Sequence, residues 1–243
     1  MAVRFIMASA QTIAMGSGSN AARNIVGVTL MCWYKPIANN SNHALVSLSS
    51  GTSATRSRCK VRVIATGAID ANGRCKDADS NGGFVGTAGK VSAGSWQHIC
   101  SLHDYTNKKI SLYYNGTFDA ISAALAWGDA PTSDTASLAF NIGSQHNGGS
   151  EYANGDIEDA RVYNRLLSEA EIQTIYAANG CDNITYGLQH RYLLRENAPG
   201  VVVSATAGSV KDMGSLQMNN ASQTHNPTYR EGQVNELAIL HAL

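Results

Sequence analysis

The stretch that decides the fold is Asn154-Gly-Asp-Ile-Glu-Asp-Ala-Arg-Val-Tyr-Asn-Arg-Leu-Leu-Ser168. Asp156 to Tyr163 reads as a strand bounded by polar residues and glycine. The end of the stretch reads as a helix start. Ser168 precedes Glu171 by three residues, the spacing of a capping box. Leu167 and Ile172 are placed to staple the chain as it enters the helix. Ile172, Ile175 and Tyr176 then recur at helical spacing, and Asn179-Gly180 supplies the stop. A strand passing directly into one short helix over 168–178 is expected.

Upstream of this stretch, short strand-like runs alternate with Gly, Asn and Ser clusters. They are Val28 to Lys35, stopped by Pro36, then Ala44 to Leu48, Cys59 to Ala65, Trp96 to Leu102, Ile110 to Tyr114 and Leu138 to Ile142. Asn115-Gly116 is a hairpin signal, because both residues tolerate positive φ. Many short strands at this spacing predict an all-β, antiparallel two-sheet jelly-roll sandwich. Downstream of Gly180, Leu188 to Leu194 and Val201 to Ala205 read as strands. The apolar tail Val234 to Leu243 reads as a helix or strand that docks on this chain or on a neighbour. The expected division is a sandwich domain over 1–180 and a β extension over 181–243. That extension either completes the sandwich or packs on another subunit.

The composition narrows the function classes. Lys+Arg and Asp+Glu are both 18 in 243 residues, so the chain is neutral and lacks the basic surplus that nucleic acid demands. No apolar run is long enough to span a membrane. The N-terminal run from Met1 is interrupted by Ser9, Gln11 and Thr12 too soon for a cleaved signal, so synthesis and assembly in a cytoplasm are expected. The five cysteines cannot all pair within one chain. Cys32 and Cys100 read as buried thiols. Cys59 and Cys75 flank a hairpin-like stretch and are left as either a pair or two free thiols.

In order, Trp96-Gln-His-Ile-Cys100, Leu112-Tyr-Tyr-Asn-Gly116, Phe140-Asn-Ile-Gly-Ser144 and the opening stretch resemble a laminin-G-like module of the concanavalin A-like lectin/glucanase superfamily. The resemblance spans about residues 1–178. Gly187 to Glu196, Asp212-Met-Gly214 and Pro227 to Gly232 resemble a segment that usually precedes such modules. This order is similar to that of modules in tailed-phage virion proteins. The resemblance implies a non-catalytic structural protein of a virus particle, a capsid decoration or fibre-associated subunit, with other virion proteins and copies of itself as partners. The alternative it implies is a carbohydrate-binding adhesin.

The three-carboxylate pattern of the related glucanases is absent, which argues against an enzyme. No His or Cys spacing fits a metal site. Sugar binding needs aromatic platforms and amides on loops, which singles out Trp127, Tyr152, Asn147 and Asn154. No cofactor is expected. Calcium is the one cation the resemblance allows, although Met7 to Ile13 lacks the carboxylates of the family's early loop. Asp156, Glu158 and Asp159 are its remaining candidate ligands. Strict alternation would put Glu158 on one face with Ala160 and Val162, in or beside the core.

Overall fold

The computed structural model describes residues 2–14, 19–49, 57–135, 138–145, 150–194, 203, 210–215, 222–224 and 228–230. In chain order the strands begin β1 (Ala2–Phe5), β2 (Thr12–Ala14), β3 (Gly27–Pro36), β4 (His43–Ser49) and β5 (Ser57–Val63). Next are β6 (Ile69–Gly73), β7 (Gly82–Val85), β8 (Gln97–Asp104), β9 (Lys109–Tyr114) and β10 (Thr117–Ile121). β11 (Ala139–Ile142) and β12 (Gly155–Tyr163) lead to α1 (Glu169–Ala177), followed by β13 (Leu188–Tyr192), β14 (Ser222–Thr224) and β15 (Thr228–Arg230).

The strands form two antiparallel sheets packed as a jelly-roll sandwich. The first runs β10-β9-β8-β3-β12-β1-β15, with β13 also on β12, and the second runs β14-β2-β11-β4-β5-β6-β7. Alternation along the strands fills the space between the sheets. Leu30, Cys32, Tyr34, Ile99 and Val162 come from the first sheet, and Val46, Leu48, Val61, Phe140 and Ile142 from the second. Residues beyond 180 add to both sheets, β13 and β15 to the first and β14 to the second. Of the expected strand at 201–205 only Val203 is described, and it is buried; the tail 234–243 lies outside the described residues.

A second, smaller core lies on the outer face of the first sheet. α1 lays Ile172 and Ile175 over Met31, Cys100, Leu102 and Tyr113. Both capping-box bonds are present: Glu171 N–H donates to Ser168 Oγ at 3.3 Å, and Ser168 N–H to Glu171 Oε2 at 2.9 Å. Arg165 holds the Glu171 carboxyl down to about 2. Trp33 belongs to this outer layer rather than the inter-sheet core, stacking on Tyr176 with ring centroids 5.5 Å apart. The Asn115-Gly116 hairpin forms with φ of 49° and 75° at its two residues.

One expectation about β12 is corrected. Asp159 sits at φ 48°, where the register with β3 shifts between Glu158 and Arg161. This bulge inserts one residue and reverses the alternation. Ala160 and Val162 therefore face the inter-sheet core with Ile157, while Glu158 faces outward opposite Trp33. In the sequence the bulge shows only as the polar pair Glu158-Asp159 between apolar Ile157 and Ala160. Cys59 and Cys75 are both free and buried.

Candidate functional site

The outer face of the second sheet is polar across its centre. β5 reads Ser57-Arg-Cys-Lys-Val-Arg-Val63, so Lys60 and Arg62 point away from the core that Cys59, Val61 and Val63 fill. Strand register then aligns Asn141 of β11, Ser47 of β4, Lys60 of β5 and Asn72 of β6 in one row. Four adjacent strands at the usual spacing make this row about 14 Å long. Asn141 and Ser47 are fully buried and Lys60 nearly so.

The row carries two kinds of group. Some are tightly held. Lys60 Nζ donates to Gln145 Oε1 at 2.5 Å and to Glu151 Oε2 at 2.6 Å. Arg62 faces Asp70 with two donors, at 2.9 and 3.2 Å, and gives a third to Glu151. Asn72 Nδ2 donates to Asp70 at 3.0 Å, and Ser47 Oγ to the Ser144 carbonyl at 3.0 Å. Burial pulls the Lys60 ammonium below its ordinary range, partly offset by Glu151. Burial also works against the Arg62 charge, but Asp70 and Glu151 outweigh it and raise that group. Other groups are buried with no hydrogen-bond partner: both amide atoms of Asn141, the side-chain oxygen of Asn72 and the hydroxyls of Ser49 and Ser57. Buried polar atoms are nearly always paired; unpaired ones occur elsewhere too, at Trp33 Nε1 and Ser101 Oγ, but Asn141 is the side chain of this row with donor and acceptor both orphaned.

Ser144, which caps the row, is aimed by Gly143. That residue has φ 80°, and a Cβ there would strike the Phe5 ring at 2.4 Å, so the chain turns over β4 only with glycine. Ser144 Oγ in turn bonds Thr12 Oγ1 at 2.5 Å.

The residues singled out from sequence do not gather at this row. Trp127 is buried at 3% exposure, its indole N–H donating to the Gly73 carbonyl at 2.9 Å and its ring packed on Tyr105 and His103. Tyr152 and Asn154 are half-buried. The Asn154 carbonyl accepts from Tyr34 Oη at 3.2 Å and from Ile37 N–H at 2.9 Å. Asn147 lies outside the described residues. Asp156 accepts two bonds from Arg4, at 2.6 and 2.7 Å. Asp159 is buried between Arg161 and Arg191, and Arg161 also reaches Asp182 at 2.7 Å. Burial raises the Asp159 carboxyl, but the two guanidinium groups more than reverse this and hold it below the usual range. These oxygens serve arginines, and the donor set does not fit a calcium ion. Among the described residues no three His, Cys, Asp or Glu side chains gather as a metal site.

A Ser–His–Asp trio also forms, which spacing could not show. Ser19 Oγ lies 2.8 Å from His190 Nε2, and His190 Nδ1 lies 2.6 Å from Asp212 Oδ2. Ser19 is fully buried, and His190 stacks on Phe140 at 5.0 Å between the sheets. The trio lies in the inter-sheet core rather than on an outer face, and it ties β13 and Asp212 to the N-terminal segment at Ser19. Hydrogen bonds from His190 and from the Arg191 and Gly214 N–H groups outweigh burial and hold Asp212 low.

A family model described as the concanavalin A-like lectin/glucanases superfamily matches residues 9–173. The chain belongs to this superfamily. No curated protein matches the chain by sequence. A heptameric SAP-like pentraxin from Limulus polyphemus aligns at 18% identity and TM-score 0.53, over 70% of this chain and 76% of its own. The CBM40 module of a Ruminococcus gnavus IT-sialidase, solved with α2,3-sialyllactose, aligns at 18% and 0.53, over 69% and 98%. A proposed carbohydrate-binding protein from Bacteroides ovatus aligns at 19% and 0.63, over 91% and 57%. At these identities the likeness is one of fold. Among the described residues no helix is long and apolar enough to cross a membrane.

Proposed function

We propose that the chain is a non-catalytic glycan-binding sandwich whose ligand site is the row Asn141, Ser47, Lys60 and Asn72. The observation that carries this reading is Asn141. A fully buried amide with donor and acceptor both unpaired, in a central strand, costs stability and is explained by a ligand that pairs with it. A row of amide, hydroxyl and ammonium groups about 14 Å long suits a short oligosaccharide. The carbohydrate-binding neighbours support the reading at the level of fold.

The virion expectation rests on module order, the neutral and weakly charged composition and the apolar tail. No feature of the fold bears on it, and the three structures above lend it no support. Self-association has a physical basis in β10, an edge strand exposing Phe118 and Ile121. The test of the main reading is a glycan microarray probed with the full chain and with Asn141→Leu. Binding by the parent that is lost in a folded variant supports the row as the site. Undiminished binding by the variant places the site elsewhere.

A further inference from the structure

Resting on that reading, we infer that the row takes a neutral, hydroxyl-rich sugar and rejects sialylated, uronic and sulfated ones. The charges at the row cancel, since Lys60 and Arg62 stand against Asp70 and Glu151. Recognition of a carboxylate or sulfate uses a free guanidinium fork or an unspent ammonium. Neither stands free of a carboxylate partner. Asp70 fills the fork of Arg62 with two bonds, and the remaining Arg62 nitrogen is on Glu151. Lys60 spends two of its three donors on Gln145 and Glu151.

The buried groups of the row with no partner at all are neutral. They are the Asn141 amide N–H2, the Asn141 and Asn72 carbonyl oxygens, and the Ser49 hydroxyl. The two orphaned oxygens require donors. An anionic group offers acceptors only, whereas a sugar hydroxyl both donates and accepts. An acidic sugar would also bring an uncompensated charge beside Asp70 and Glu151 in a buried setting, which is costly. Selectivity here arises as much from this repulsion as from attraction. The sialyllactose-bound module shares the fold at 18% identity, and the inference is that the ligand's charge does not travel with it.

The experiment is a microarray of matched neutral, sialylated, uronic and sulfated glycans, probed with the full chain. Calorimetry of the best glycan and its charged or neutral counterpart follows, at low and high salt. The expected result is neutral binding at least roughly tenfold tighter, with little salt dependence. Glu151→Gln, which leaves one uncompensated cation, should raise the acidic-to-neutral affinity ratio by roughly tenfold. Preferential, salt-sensitive binding of an acidic glycan by the parent overturns the inference while leaving glycan binding intact. So does an unchanged ratio in a folded Glu151→Gln variant. Binding to no glycan overturns the proposed function itself.

Discussion

Replacing Asn141 with leucine should make the chain more stable and at the same time blind to sugar. Asn141 lies in β11, between β2 and β4, with its neighbours Phe140 and Ile142 in the inter-sheet core. Its own side chain points to the opposite face, is fully buried, and has neither amide atom paired. An unpaired buried amide costs about 1–3 kcal/mol. Leucine removes that cost and buries apolar surface in its place. Crowding subtracts up to a similar amount where the row is tight. The net expectation is a gain of about 1–2 kcal/mol, or roughly 2–8 °C in melting temperature for a domain of this size. Thermal unfolding by circular dichroism reads it directly. Asn141→Ala, which removes the amide without adding bulk, controls for crowding. If both variants melt several degrees below the parent, the amide is satisfied in the unliganded protein and the argument from its orphaned atoms is refuted.

Three other outcomes test the surrounding structure. Arg161→Met leaves Asp159 and Asp182 buried without their shared guanidinium, and should cost about 3–5 kcal/mol by urea denaturation; a loss under about 1 kcal/mol would show the cluster to be solvated. Burial lowers His98 and His103 to about 4, below the ordinary histidine value, so the folded state resists protonation that the unfolded chain accepts. Their neutral forms stabilise fully above about pH 6.5, and stability should fall as pH drops from there toward 4, by up to roughly 3 kcal/mol for each; a flat pH profile over that window contradicts their burial. Trp127→Phe removes the bond to Gly73 and should cost about 1–3 kcal/mol while leaving glycan affinity per folded molecule unchanged; lost affinity with intact stability would restore the indole as a ligand platform.

β3, β4, β5, β8, β9, β11, β12 and β13, the helix and its cap were legible because each is a local signal, whereas the short strands β2, β6, β7 and β10 were not foreseen. Ser168 and Glu171, Asn115-Gly116, and the alternation in β3 and β5 are settled by neighbours a few residues away. The site was less so. Alternation in β5 already separated Lys60 and Arg62 from Cys59 and Val61, and that pattern would have pointed to a polar face. It did not show that Asn141 and Ser47 share the row, because register between strands nearly a hundred residues apart is set by tertiary pairing. Trp127 read as a loop aromatic, yet Asp79 pins the adjacent Gly128 N–H at 2.9 Å and turns the indole inward. The Ser19–His190–Asp212 trio is likewise a product of tertiary contact, whereas the bulge at Asp159 had a local sign in the polar pair Glu158-Asp159.

The central claim is that the Asn141 row holds the sugar. The most direct measurement is a nitrogen-resolved NMR titration of the full chain with the tightest neutral oligosaccharide, following the side-chain amides. If the row is the site, the Asn141 and Asn72 amide resonances move first and furthest, with backbone shifts centred on β4, β5 and β11. Shifts confined to other loops, with the Asn141 amide unmoved at saturation, would contradict it.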